Sequence, residues 1–232
     1  MHISEGFLPA QVCIAGYGTT GLLTWFALKQ INRQGNPNEK IPKASLLTAA
    51  FFVASSISIP IPPTSVHLLL NGLLGVILGY FAVPAILIGL LFQAMFFGHG
   101  GLTTLGVNAT MMGFPALLAY YIFQLRFNLG SKKQQSSSPS QTQSHLPSHR
   151  QSLRQLGIFA FLGGTLGLAL TAFIFFLLMV TLVSADFDAQ AEQTAVTYLT
   201  LAHLPLAVLE GGFTAMLAVF LQRVKPELLT GR

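Results

Sequence analysis

Charged residues and cysteine are both scarce in this 232-residue chain, and each shortage limits what the protein can be. Only 8% of the residues are charged, whereas 52% are hydrophobic and the mean hydropathy is +0.64. Because a soluble domain carries about 25% charged residues, this composition predicts an integral membrane protein built mostly of helices. The single cysteine, Cys13, excludes an internal disulfide and a cysteine-based zinc cluster.

The motifs of common enzymes are also missing. The sequence has no HExxH pair, phosphate-binding loop or Gly-x-Ser-x-Gly elbow, so it has no motif for hydrolysing ATP itself. It has no regular row of cations within a hydrophobic span, which argues against a voltage sensor. The pI near 9.6 does not require nucleic acid as a partner, because cations collect in the cytoplasmic loops of membrane proteins.

Hydrophobic stretches predict an all-α, polytopic membrane bundle of about seven transmembrane helices. The predicted spans are 10–31, 44–59, 66–83, 85–97, 109–125, 155–183 and 195–221. Residues 131–152 are mostly Ser, Gln, Lys, Arg and Pro, and they lack the apolar residues that a core needs. We therefore expect a first membrane domain over 1–130, a disordered cytoplasmic linker over 131–152, and a second membrane part over 153–232.

The distribution of charge predicts the orientation, with the amino terminus outside and the carboxyl terminus inside. All twelve Lys and Arg residues then face the cytoplasm, as the positive-inside rule requires. The cytoplasmic segments are 29–43, the turn near Pro84, 126–154 and 223–232. The acidic residues Asp186, Asp188 and Glu192 fall outside. We expect a multi-pass protein of the inner (plasma) membrane whose amino terminus faces outward.

The first two residues can form a metal chelate. The Met1 amine, the His2 amide nitrogen and the His2 ring Nδ1 can close two chelate rings around one ion. Because these nitrogens lie nearly in a plane, a fourth would complete the square-planar site that Ni(II) and Cu(II) prefer. The amide must lose its proton, so binding should depend on pH. The competing interpretation is an ordinary Met-His start with no ligand role.

His67 is the candidate for the fourth nitrogen, at the outer start of the third predicted span. Asn71, one predicted helical turn later, could orient the ligands. The competing interpretation is a helix-end histidine that hydrogen-bonds a loop carbonyl. His99 lies in a glycine-rich loop on the same outer face of the membrane. It either binds the ion or holds the loop around the ligands, and the second role is favoured.

The glycine-rich loop and the last span contain further polar candidates. Thr103, Thr104 and Asn108 could cap the next helix or hydrogen-bond the ligand residues. Seven residues separate His203 from Glu210 on one face of the seventh span, where an ionisable pair is a functional candidate. This pair is either a structural contact or the centre of an intramembrane metal-dependent enzyme. His145 and His149 lie in the predicted linker and are assigned no site.

Four motifs occur in the order MHISEGFLP at 1–9, TSVHLLLNG at 64–72, GHGGLTTLGVN at 98–108 and AHLPLAVLEGG at 202–212. Together they resemble the CbiM/NikM family, the substrate-binding membrane subunits of energy-coupling-factor transporters for cobalt and nickel. The resemblance implies a seven-helix bundle with the Met1 amine, the His2 amide and ring, and His67 as ligands. The loop from His99 to Asn108 would pack over or beside them.

The resemblance also implies partners. These are a transmembrane coupling subunit, two cytoplasmic ATPase subunits and often a small accessory membrane subunit, with the lipid bilayer around them. We therefore expect a metal-capturing subunit of an ATP-driven uptake transporter, with no enzymatic activity of its own and Co(II) or Ni(II) as transported ligand. The planar nitrogen set suits nickel, but square-planar cobalt stays open. The alternative is a heptahelical membrane sensor of a metal ion.

Overall fold

The computed structural model describes residues 2–61, 64–135, 149–182 and 189–230, and helices dominate them. The helices are α1 Ala10–Arg33, α2 Ile41–Ser56, α3 Asn71–Leu78, α4 Ala82–Phe97, α5 Leu105–Gln135, α6 His149–Leu182, α7 Ala189–Val224 and α8 Glu227–Thr230. Two short antiparallel strands, β1 Ser58–Ile61 and β2 Thr64–His67, separate α2 from α3. The predicted all-α class is confirmed.

Four helical runs in the described ranges are long and apolar enough to cross a membrane. They are Asn71–Phe97, Leu105–Phe127, Leu153–Leu182 and Gln193–Val224. Ile41–Ser56 is a shorter apolar helix. Together with the composition, these runs confirm the prediction of a multi-pass membrane protein, whereas the number of spans and their orientation stay predictions.

The third predicted span, 66–83, differs from the structure at its start. Residues 64–67 form β2, which makes an antiparallel hairpin with β1 in which Ser58 pairs with His67. Helix α3 begins only at Asn71 and has eight residues. It stops at Gly79, whose φ of 59° is one that glycine adopts readily. A 3-10 turn, Gly79–Phe81, then leads into α4.

Helices α1 and α5 run side by side in the same direction. Gly16 faces Val107, Thr20 Oγ1 lies 2.7 Å from Thr110 Oγ1, and Gly113 faces Leu23 further along. A Cβ on Gly16 would overlap the backbone of Val107, so the two backbones approach more closely than larger residues allow. Both helices therefore begin at the same end of the bundle, beside residues 2–9, which we call the upper end.

Helix α3 occupies the centre of the bundle, and all eight of its residues are buried. Its glycines contact neighbouring backbones directly: Gly72 faces Gly163 and Gly164 of α6, and Gly75 faces the Ala116 carbonyl of α5. Small residues allow this close approach where lipid offers no hydrophobic drive for helix association. The start of α3 is thereby fixed beneath the upper end.

Cationic residues of the described part lie at the other, lower end of the helices. Lys29 and Arg33 lie in the last turns of α1, and Arg223 lies in the last turn of α7. The ammonium group of Lys43, near the start of α2, donates to the carbonyls of Ile77 at 3.1 Å and Leu228 at 2.8 Å. This separation agrees with the predicted cytoplasmic face.

The predicted linker, 131–152, is helical at both of its margins. Helix α5 continues to Gln135 and α6 begins at His149, while residues 136–148 lie outside the described residues. His145, Asp186 and Asp188 also lie outside the described residues, and Glu192 is in the first turns of α7. The division of the chain into two membrane parts stays a prediction.

Gly75→Ala should destabilise the protein by about 1–3 kcal/mol, because the new Cβ would overlap the Ala116 carbonyl and a backbone carbonyl cannot move aside cheaply. Gly21→Ala is the matched control, since nothing lies within 4 Å of a Cβ there. Thermal unfolding in detergent measures both variants. Equal unfolding temperatures would contradict the assignment of α3 to a closely packed centre.

Candidate metal centre

The backbone N–H and the backbone carbonyl of Ile3 are both held by side chains from α5 and the turn before it. Its N–H donates to Asn108 Oδ1 at 2.9 Å, and its carbonyl accepts from Asn108 Nδ2 at 3.0 Å and from Thr104 Oγ1 at 2.7 Å. Ile3, Thr104 and Asn108 are all buried. These bonds fix the position of His2, the next residue toward the amino terminus.

The glycine-rich loop closes over the same segment. The N–H of Glu5 donates to the Gly100 carbonyl at 3.2 Å, and the Glu5 carboxylate accepts from the Thr103 N–H at 3.2 Å. Gly101 has a φ of 150°, and a Cβ at this position would overlap the Glu5 side chain. Residues 98–104 therefore pack against residues 2–5, as the sequence predicts for this loop.

Three imidazole rings come together where these segments meet. The His2 and His67 rings stack at 4.9 Å between centroids, and the His99 ring lies 6.0 Å from the first and 6.1 Å from the second. His203 of α7 meets His67 edge-on at 6.3 Å. The predicted neighbours His2, His67 and His99 thus lie together at the upper end, although they are far apart in the sequence.

Burial keeps the two predicted ligand rings neutral. It lowers the pKa of His67 to about 2, and it lowers the pKa of His2 well below its usual value. The His67 and His99 rings strengthen the effect on His2, whereas the Gln93 side chain opposes it. A neutral imidazole has a free lone pair on one nitrogen, which is the form that binds a metal ion.

The side chains that the structure describes do not complete a metal site by themselves. No three His, Cys, Asp or Glu side chains among residues 2–61, 64–135, 149–182 and 189–230 converge as ligands. The predicted donor set takes two of its nitrogens from the chain end and only two from rings, and it stays a prediction. Met1 lies outside the described residues, so its role stays a prediction.

Glu210 fixes the turn that follows His67. Its carboxylate accepts from the N–H groups of Leu69 and Leu70, the latter at 2.9 Å, although it lies in α7 about 140 residues away. Leu70 has a φ of 50°, a left-handed conformation that a leucine adopts only when surrounding contacts impose it. A negative charge at the start of α3 also interacts favourably with the helix dipole.

The predicted pair His203 and Glu210 is directed to different partners. His203 Nδ1 lies 2.7 Å from the Leu199 carbonyl, which can only accept, so Nδ1 carries the proton. Glu210 binds the turn before α3 instead. From one face of α7, His203 therefore contacts the His67 ring and Glu210 binds the turn that follows His67.

Asn71 is positioned differently from its predicted role. Its Nδ2 donates to Thr171 Oγ1 at 2.8 Å and to the carbonyls of Met112 and Gly167 at 3.2 and 3.3 Å. It therefore joins α3 to α5 and α6. The prediction assumed one helical turn between His67 and Asn71, but residues 68–70 are not helical.

Gln93 is a polar residue of this region that the sequence analysis missed. Its side chain lies in α4 and the residue is 1% exposed. Its backbone carbonyl accepts from the backbone N–H of His99 at 3.2 Å. Glu5 was also missed as a contact of the loop. The signal for Gln93 was available, since a lone amide in an otherwise apolar helix needs hydrogen-bond partners within the bundle.

A family model described as the cobalt uptake substrate-specific transmembrane region, CbiM, matches residues 2–228. The chain belongs to the CbiM family. This confirms the resemblance found in the four motifs. All residues of these motifs except Met1 lie within the matched range.

Relatives of this CbiM-family chain are named as transport proteins. A putative metal transport protein of Haemophilus influenzae is 41% identical over 54% of this chain, and the match covers 59% of that protein. A fused nickel transport protein, NikMN, of Rhodobacter capsulatus is 29% identical over 100% of this chain and 65% of that protein. The chain thus spans less than two thirds of the length of these two relatives.

A solved structure shares the fold. A crystal structure of a transition metal transporter superposes with a TM-score of 0.68 at 24% identity, covering 98% of this chain and 95% of the other. At this identity the likeness establishes the helical arrangement alone.

Loss of the Ile3 contacts should weaken metal binding without removing a ligand. Asn108→Leu leaves the Ile3 N–H buried without its acceptor, at a cost of about 1–3 kcal/mol. Thr104→Val removes one of two donors to the Ile3 carbonyl and should weaken binding less. Thr103→Val is the matched control, because only the backbone of Thr103 contacts Glu5. Isothermal titration with Ni(II) measures all three, and equal affinities would refute the role of the Ile3 peptide.

Glu210→Gln should lower both the unfolding temperature and the metal affinity. A carboxamide has one oxygen, so one of the two N–H groups of Leu69 and Leu70 would face an NH2 group, costing about 1–3 kcal/mol. Glu227→Gln, an exposed change in α8, is the control. Retention of the wild-type unfolding temperature by Glu210→Gln would show that the turn before α3 does not depend on the carboxylate.

Proposed function

We propose that this chain captures Co(II) or Ni(II) at the upper end of its bundle as the metal-binding membrane subunit of an uptake transporter. The observation that carries the proposal is the pair of stacked His2 and His67 rings beside an Ile3 peptide fixed by Asn108. The family description, cobalt uptake, and the name of the nickel transport relative give the two candidate ions.

The proposed donors are the Met1 amine, the His2 amide nitrogen, His2 Nδ1 and one ring nitrogen of His67. The neutral rings offer lone pairs without first losing a proton, whereas the Met1 ammonium group and the His2 amide must each release a proton when the ion binds. The chain thus performs ligand exchange, in which an aquo ion gives up water for nitrogen donors. His99, half-buried above the other two rings, would shield the bound ion from solvent.

Nickel fits the proposed donor set better than cobalt, because a planar arrangement of nitrogens is the geometry that Ni(II) prefers. Cu(II) binds nitrogen sites still more strongly by the Irving–Williams order, so availability would contribute to selectivity. We propose Ni(II) as the first ion to test and Co(II) as its competitor.

We further propose that the energy for uptake comes from separate subunits of an energy-coupling-factor assembly. The sequence lacks a nucleotide-binding motif, so two cytoplasmic ATPase subunits, a transmembrane coupling subunit and often a small accessory membrane subunit would act with it. The cations at the lower end and their absence from residues 1–28 favour an outward-facing metal site.

Insertion of one alanine between Met1 and His2 should abolish uptake, because it breaks the two-ring chelate while keeping every side chain. A histidine in third position can form a different planar chelate, so some binding should survive. His2→Ala should lose most affinity, His67→Ala should lose less because water can replace one donor, and His99→Ala should lose least, about 10–100-fold. Isothermal titration with Ni(II) and Co(II), paired with cellular metal accumulation, measures these changes.

Wild-type affinity in both the insertion variant and His2→Ala would show that the amino terminus does not bind the metal ion. Uptake that persists in cells lacking ATPase and coupling subunits would refute the proposed assembly while leaving the metal site intact. His149→Ala is a suitable control, because this histidine lies at the first residue of α6 and is not one of the clustered rings.

A further inference from the structure

Gln93 has a buried carboxamide whose oxygen serves no purpose in the proposed ligand set. Its Nε2 donates to Ser55 Oγ and, at 3.5 Å, to the Phe52 carbonyl, both in the last turns of α2. Its Oε1 is buried and has no hydrogen-bond partner in the described part of the chain. A buried acceptor without a donor is costly, so we expect another state of the protein to supply the donor.

The chemistry of its partners fixes which way the carboxamide points. Ser55 Oγ donates its single proton to the Phe51 carbonyl, so toward Gln93 it can only accept. The Phe52 carbonyl can also only accept. Both contacts therefore require the NH2 group of Gln93, and Oε1 must lie on the opposite side of the carboxamide.

The His2 ring offers the missing donor. Both of its ring nitrogens are buried, and neither has a hydrogen-bond partner at normal distance among the described residues. Gln93 lies near this ring, because its backbone carbonyl accepts from the N–H of His99, whose ring centroid is 6.0 Å from that of His2. If Nδ1 of His2 binds the ion, the ring proton must be on Nε2, where it needs a buried acceptor.

We propose that Gln93 positions the metal-binding histidine: Oε1 accepts from His2 Nε2–H when His2 Nδ1 holds the ion, and Ser55 keeps that oxygen in place. This inference rests on the proposed function. An acceptor on the second ring nitrogen fixes the tautomer and the orientation of the ring, and it makes the first nitrogen a better donor to the metal. In this arrangement Gln93 bonds to the His2 ring and not to the ion, so it acts through His2.

Four variants of the full chain test this positioning role. Gln93→Leu should weaken Ni(II) affinity about 10–100-fold. It should change the unfolding temperature of the metal-free protein only slightly, because loss of the Nε2 bonds to Ser55 and Phe52 is offset by removal of a buried acceptor that has no donor there. Gln93→Glu should retain most of the affinity, because a carboxylate oxygen replaces Oε1 and the Ser55 hydroxyl can rotate to donate to the other.

The two neighbouring serines provide a matched pair. Ser55→Ala frees the Gln93 carboxamide and should weaken Ni(II) affinity by a smaller factor than Gln93→Leu. Ser56→Ala removes only a bond to the Phe52 carbonyl, 2.6 Å long, and should keep the wild-type affinity. Isothermal titration with Ni(II) and thermal unfolding of the metal-free protein are measured for each variant in detergent.

Wild-type affinity in Gln93→Leu overturns the proposal. Equal losses in Gln93→Leu and Gln93→Glu also overturn it, because they would indicate packing and not an oxygen acceptor. If Gln93→Leu does not fold, equal affinities of the two serine variants together with a loss in Gln93→Glu overturn it. Failure of the wild-type chain to bind Ni(II) or Co(II) at all is a separate outcome, which refutes the proposed function and this inference with it.

Discussion

The upper end of the molecule depends on the pairing of the Ile3 backbone with the carboxamide of Asn108. Asn108 both accepts from the Ile3 N–H and donates to the Ile3 carbonyl, so a terminal segment without helical structure is held at a defined depth. Other features bring these two groups together. The glycine contacts between α1 and α5 set the distance, and Gly100 and Gly101 let the loop lie against the segment. His2 reaches the other rings only because Ile3 is fixed.

Sequence reasoning captured the local chemistry of this region better than its geometry. The four motifs and the low charge content led to the membrane class, to the family and to the neighbouring histidines. Asn71 was placed beside His67 by counting a helical turn, and the hairpin and the left-handed Leu70 invalidate that count. The role of Glu210 could not be read from spacing, because its partners are two N–H groups about 140 residues earlier.

Long sequence separations also explain why this region exists only in the folded chain. The imidazoles come from residues 2, 67 and 99, and the groups that hold them come from Gln93, Asn108 and Glu210. An unfolded chain brings no two of these together for long, so an ion that binds the folded form would stabilise it by mass action. The difference between metal-free and metal-loaded unfolding temperatures thus reports affinity directly.

The close contact between α1 and α5 has a mechanical consequence. Gly16 and Gly106 leave no space between the two backbones, so neither helix can slide past the other without overlap. Residues 2–9 lead into α1 and bond to Asn108 of α5, so both helices hold His2 in place. Separation of His2 from His67 requires this helix pair to shift relative to β2 and α3, which carry His67 and are held by Glu210 of α7.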